Sequence, residues 1–291
     1  MKLRSLLFVP GDSEKKFRRA CESQADVLFL DLEDSVAPSQ KHAARGTVAG
    51  WLDQAGDVAP ALFVRINPFD TGLTLGDLAA VVRPGLAGLL VPKANGAEDI
   101  VRIGHYLDAL EERAGMPGGA VKLMVVATET PAAMFALGSY APAHPRLAGL
   151  TWGAEDLAAA IGATGNKGED GDWSFPYQVA RAQCLFAAAS ANVAPIDTLF
   201  ADFRDAEGLE RSCRVARRDG FVGRIAIHPD QVATINAAFS PSADEIAEAR
   251  RVVDAFAAQP DAGTLGIDGK MYDIPHLKAA QRTLAAAGDP A

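Results

Sequence analysis

VLFLDLED, residues 27–34, is a four-residue apolar run followed by three acids, Asp31, Glu33 and Asp34. An apolar run with no polar alternation, bounded by residues that end it, is the pattern of a strand buried on both faces, as in a parallel sheet. The same pattern recurs on either side. LLFVP (6–10) is bracketed by Arg4 and Asp12, LFV (62–64) ends on Arg65, and GLLVP (88–92) on Lys93. KLMVVAT (122–128) ends on Glu129, LAGLTWGA (147–154) on Glu155 and Asp156, and RIAI (224–227) on His228. Eight strands are predicted: 3–9, 27–32, 62–66, 88–91, 121–127, 148–152, 196–199 and 223–227. They alternate with helical stretches, the order of a parallel α/β protein, and the fold expected is a (β/α)8 TIM barrel. The C-terminal strand ends of such a barrel converge on one rim, where enzymes of this fold place their chemistry.

The barrel is expected over residues 1–238, and the texture changes after it. Ser242 and Glu245 form a capping box ahead of a helix with Ile246, Ala249, Val253 and Phe256 on one side. A glycine-punctuated segment, GTLGIDGKMYDIPH (263–276), precedes a last alanine-rich helix. Residues 239–291 are too few for a large core of their own and are expected to form a small helical lid or oligomerisation segment. Within the barrel, GATGNKGEDGDWSF (162–175) interrupts the alternation with a long loop.

With 291 residues and a net charge of −9, the chain lacks the basic footprint of a nucleic-acid-binding protein. It has no apolar stretch near the ~20 residues of a membrane helix and no signal-peptide core. Three widely spaced cysteines indicate neither a disulfide framework nor a zinc motif, so a cytoplasmic location is the default expectation.

RSLLFVPG (4–11), DLEDSV (31–36), VRIN (64–67), ETP (129–131), WGAEDL (152–157), AIHPDQ (226–231) and GKMYDIP (269–275) occur in one order along the chain. Together they resemble the citrate lyase beta-subunit-like proteins, a group of the HpcH/HpaI aldolase superfamily that also contains malyl-CoA and citramalyl-CoA lyases. The resemblance spans Arg4 to about Pro275 and implies an Mg²⁺-dependent barrel (Mn²⁺ as a substitute) that cleaves or forms a carbon–carbon bond next to a thioester. It assigns the metal to Glu129 and Asp156 and substrate contacts to Arg65, Glu129, Gly153 and Ala154. Acids at such positions also cap helices. Arg65 is expected to stabilise an enolate, with an ion pair to Glu33 or Asp34 as the alternative. Glu33 and Asp34, with Asp31, are expected to orient Arg65 or a metal-bound water. Glu155 is given a supporting role at best, and Lys93 reads as an exposed loop lysine, with a place lining the rim as the alternative.

The cluster Arg4, Lys15, Lys16, Arg18 and Arg19 suits the phosphates of CoA, and the resemblance points to Arg4 and to Lys15 or Lys16. Asp273 is implied to be an acid/base reaching over the barrel mouth from a neighbouring subunit, which calls for a homo-oligomer, a trimer or hexamer. His228 is read as hydrogen-bonded and structural. The expected substrates are a short 3-hydroxyacyl-CoA such as citramalyl-CoA or malyl-CoA, cleaved to acetyl-CoA plus pyruvate or glyoxylate. Three alternatives stand beside this: a citryl-ACP lyase subunit of a citrate lyase complex, a CoA-independent 2-oxo-acid aldolase, and a catalytically silent CoA-binding scaffold.

Overall fold

The computed structural model describes residues 1–55 and 60–288. Eight parallel strands close into a barrel in sequence order: β1 Ser5–Pro10, β2 Val27–Asp31, β3 Ala61–Arg65, β4 Gly88–Val91, β5 Lys122–Val126, β6 Leu147–Thr151, β7 Ala194–Asp197 and β8 Gly223–Ala226. All eight predicted strands are present. The largest displacement is in β7, which starts at Ala194, two residues before the predicted start, and takes Pro195 into pairing opposite Leu150. Proline lacks a ladder N–H, so it reads as a boundary in the sequence; its carbonyl still accepts from Val222 N–H at 3.0 Å.

Side chains of a strand alternate between faces, and here both faces are buried. Leu6, Val27, Phe29, Phe63, Leu90, Met124, Val126, Ile196 and Ile225 form one core cluster, while the intervening Leu28, Leu30, Val64, Leu89 and Val125 are equally buried. Phe29 meets Phe8 at 5.2 Å and Phe63 edge-on at 6.0 Å between ring centroids. Gly88 makes room for this packing: a Cβ there would lie 2.2 Å from the Phe63 ring. Continuing the alternation, Asp31 shares a face with Val27 and Phe29, and Arg65 shares one with Phe63. The apolar barrel interior is thereby topped with charge.

The chain divides into two compact units, Met1–Asn236 and Ala237–Ala291. In the second, helices Ala243–Ala257 and Ile274–Ala287 flank a two-stranded hairpin, β9 Thr264–Ile267 and β10 Lys270–Asp273. Ala249, Val252, Phe256, Leu265, Ala280 and Leu284 form its core, and the Ser242–Glu245 capping box is made. The glycine-punctuated segment between the two expected helices folds as the hairpin. Its turn residues Asp268 and Gly269 both have positive φ, +50° and +76°, the conformation of the tight turn that Asp-Gly favours. No helix among the described residues is long and apolar enough to cross a membrane.

Candidate active site

Five consecutive strands each deliver charge to one rim. Asp31 ends β2, with Glu33 and Asp34 in the turn beyond it; Arg65 ends β3; Lys93 follows β4; Glu129 follows β5; and Asp156 lies in the first turn of the helix Ala154–Ile161 after β6. Asp31 and Arg65 are opposite each other in the β2–β3 register. The guanidinium is therefore gripped bidentately: Nε donates to Asp31 Oδ1 and Nη2 to Oδ2, each at 2.7 Å. Glu33 Oε2 lies 2.9 Å from Arg65 Nη1, in an ion pair without hydrogen-bond alignment, and the Phe8 ring lies beneath, 4.5 Å from Cζ. The main partner is thus Asp31, ahead of Glu33; Asp34 is exposed and touches Lys93 instead. Lys41 Nζ and Asn67 Nδ2 fix the acidic turn by donating to its carbonyls, Lys41 to Leu32 and Glu33 and Asn67 to Leu32.

Lys93 is not an exposed loop lysine. Its ammonium is within 2.5 Å of Glu33, 3.1 Å of Asp156 and 3.4 Å of Asp34. Its backbone is left-handed, φ +49°, a conformation costing about 1–2 kcal/mol for a side-chain-bearing residue. That conformation aims its N–H at Glu129 Oε2, 2.6 Å away.

Glu129 is 5% exposed. Burial, reinforced by the negative charges of Asp156 and Glu33, pushes its carboxyl up to about 8, against the opposing pull of Lys93. Burial also raises Glu33, with Arg65 and Lys93 working the other way. Asp31 is buried as well, but the Arg65 hydrogen bonds and charge more than offset this and hold it below the usual range. For Arg65 and Lys93 burial disfavours the charged form, yet the acids around them win, and both are raised.

The sequence-predicted residues are placed as follows in the fold. Arg65, Glu33, Glu129 and Asp156 come together around Lys93. Gly153 lies against Glu129, where a Cβ would meet Glu129 Cγ at 2.9 Å; its N–H donates to Thr128 Oγ1, and Ala154 is buried at the start of the following helix. Lys15 and Lys16 are exposed on the helix Glu14–Cys21, which leaves the rim end of β1. Arg4 precedes β1 and so lies at the barrel's opposite end, where Nε and Nη2 bind Asp26 at 2.9 and 2.7 Å. Its hydrogen-bonding groups are thus turned to Asp26, away from the rim that carries Arg65. Glu155, adjacent to Asp156, instead lines a cavity of about 870 Å³ with Lys167, Trp173, Asp197, Phe200 and Arg224; none of the acids around Lys93 lines it. His228 caps the turn after β8 and stacks on Phe203.

Asp273 belongs to the second unit. It caps the helix Ile274–Ala287, accepting from His276 N–H, and the His276 hydrogen bond holds its carboxyl below the usual range. This is opposite to the shift expected of an acid working near neutral pH.

Among the described residues no group of three or more His, Cys, Asp or Glu side chains converges as a metal cage. The rim offers two carboxylates whose mutual repulsion a divalent cation would relieve, with remaining ligand positions left for water and substrate oxygens. That suits Mg²⁺, which keeps several waters and takes few protein ligands.

Buried Glu129 and half-buried Asp156, beside a clamped guanidinium at the C-terminal rim of a (β/α)8 barrel, define an enzyme site for stabilising developing negative charge. The chain belongs to the HpcH/HpaI aldolase/citrate lyase family, whose profile matches residues 4–229, and it is a lyase. It is 31% identical to the citrate lyase subunit beta of Haemophilus influenzae over 99% of this chain and 98% of that protein. It is 33% identical to a (3S)-malyl-CoA thioesterase of Cereibacter sphaeroides, covering 98% and 94% of the two chains. An L-malyl-CoA/beta-methylmalyl-CoA lyase of the same organism is 32% identical, with coverages of 96% and 92%. The crystal structure of CitE from Mycobacterium tuberculosis in complex with magnesium, acetoacetate and coenzyme A superposes with a TM-score of 0.78 at 32% identity, covering 99% of this chain and 98% of that one.

Proposed function

We propose that the protein is an Mg²⁺-dependent carbon–carbon lyase that reversibly cleaves a short 3-hydroxyacyl-CoA, such as malyl-CoA or citramalyl-CoA, to acetyl-CoA and glyoxylate or pyruvate. The observation that carries this reading is the Asp31-clamped Arg65 sharing a rim with buried Glu129 and half-buried Asp156. Magnesium and coenzyme A in the CitE complex support it.

Glu129 and Asp156 would hold Mg²⁺, which when bound polarises oxygens and lowers the pKa of a hydroxyl. As the hydroxyl gives its proton to water at the open rim and the bond between the hydroxyl-bearing carbon and the carbon next to the thioester breaks, the hydroxyl oxygen becomes the carbonyl of the oxo acid. The electron pair passes to the thioester as an enolate. Arg65, fixed by Asp31, presents its remaining N–H groups to that oxygen without reorganising. Gly153 and Ala154 would lie along the oxo-acid half, and Lys15 and Lys16, on the helix after β1, would meet the CoA phosphates. Asp273 is proposed to return the proton to the enolate carbon, with the tail of one copy serving another in a homotrimer or hexamer.

Incubation with malyl-CoA and citramalyl-CoA and identification of products by mass spectrometry tests the reading. Acetyl-CoA with glyoxylate or pyruvate is expected; free CoA with the hydroxy diacid would mark a thioesterase, and no turnover of either thioester would defeat the proposal. In D₂O, wild type should exchange the methyl protons of acetyl-CoA, and Asp273→Asn should lose this exchange; undiminished exchange would remove Asp273 from the mechanism.

The metal assignment predicts a pH-dependent stability. Folded, metal-free protein keeps the Glu129 proton up to about pH 8, whereas an unperturbed glutamate releases it near 4.5. Across that interval the unfolded chain binds fewer protons, so this group's contribution to stability falls as pH rises and levels off above about 8. A cation bound by Glu129 must displace that proton. Mg²⁺ is therefore expected to raise the melting temperature more at pH 9 than at pH 6; equal shifts would exclude Glu129 as a ligand.

A further inference from the structure

We propose that Lys93 is an internal countercation that competes with the divalent metal for Asp156 and so sets the enzyme's metal affinity. This inference rests on the metal assignment above. The ammonium is held at the meeting point of the two halves of the site, between Glu33, which also pairs with Arg65, and Asp156. It lies 3.1 Å from Asp156 Oδ1, whereas Mg²⁺ binds carboxylate oxygens at about 2.0–2.1 Å. A dication on that carboxylate would face the ammonium at close range, and the two cations repel. The surroundings provide the resolution. Glu33 at 2.5 Å and Asp34 at 3.4 Å flank the same ammonium, so it can release Asp156 and remain paired.

The backbone supports a functional placement. A left-handed residue after β4 would be least strained as glycine, yet a lysine occupies it, and its N–H is bonded to the other metal carboxylate, Glu129. Main chain and side chain therefore act separately: the N–H orients Glu129, and the ammonium neutralises Asp156 and Glu33 when no metal is present. The cluster of Asp31, Glu33, Asp34, Glu129 and Asp156 then never carries five negative charges against Arg65 alone.

Isothermal titration with Mg²⁺, and Mn²⁺ binding followed by electron paramagnetic resonance, on the full chain at pH 9 test this directly. Lys93→Met keeps the unbranched stem and the N–H but removes the charge, and it is expected to bind both ions about tenfold more tightly than wild type. Lys93→Arg, which retains the charge, should stay within about threefold of wild type. A residue that merely props up the site would give the reverse, weaker binding in Lys93→Met, and that result or an unchanged affinity overturns the inference. Circular dichroism verifies folding; if the methionine variant fails to fold, Lys93→Gln carries the same expectation. Wild type and Glu129→Gln serve as references. No binding by wild type would defeat the metal assignment itself, while binding lost in Glu129→Gln and not tightened in Lys93→Met would defeat only the role of Lys93.

Discussion

Glu129→Gln is expected to lower kcat/KM by at least ~10³-fold and to abolish the Mg²⁺-induced rise in melting temperature, while the barrel stays folded. The magnitude follows from removing a ligand from a cation that supplies several kcal/mol of charge stabilisation, each 1.36 kcal/mol being about tenfold in rate. The fold should survive because the amide oxygen of glutamine can still accept from Lys93 N–H, the 2.6 Å bond that Glu129 makes. Metal-free variant protein should melt no lower than wild type at pH 8, since a buried group that resists ionisation is exchanged for a neutral one. Steady-state kinetics and thermal melts with and without Mg²⁺ read both halves. Turnover within tenfold of wild type would remove Glu129 from the reaction.

Arg65→Lys should reduce kcat by ~10²–10³-fold, the usual cost of losing one preorganised donor from an oxyanion site. Lysine keeps the charge but not the fork, so it cannot bind both oxygens of Asp31 and still offer rigid donors to an enolate. The conservative substitution is the informative one. Asp31 is 1% exposed, and an alanine at position 65 would strand it without its cation, a loss of about 3–5 kcal/mol that would confuse instability with catalysis. Single-turnover cleavage should show the deficit at saturating substrate, and a kcat within tenfold of wild type would count against enolate stabilisation by Arg65.

The barrel was legible because both faces of its strands are buried, leaving uninterrupted apolar runs such as VLFL and GLLV with a charge at the end of each. That same feature exposed Arg65, Glu129 and Asp156 as rim residues. Pairing was less legible. Arg65 looked towards Glu33 or Asp34 in sequence, but the β2–β3 register and the two-residue alternation put Asp31 opposite it. Arg4 shows the limit of proximity along the chain: a charge before a strand and one after it lie on opposite faces of a parallel barrel. Lys93 was legible as a possible rim residue but not as a hub of the site, because its importance lies in a left-handed backbone and three acids from other segments, none of which is written next to it. The hairpin in the tail did carry a signal, Asp268-Gly269 between Ile267 and the run Lys270-Met271-Tyr272, which the surrounding glycines obscured.

The aromatic packing of Phe8, Phe29 and Phe63 below the guanidinium has a consequence for how protons travel. Phe29 and Phe63 are fully buried, so the rings form an apolar floor beneath the catalytic layer. Such a floor favours exchange of protons and solvent from the side on which substrate arrives, and a bound acyl chain there would act as the stopper that keeps a carbanion from premature quenching.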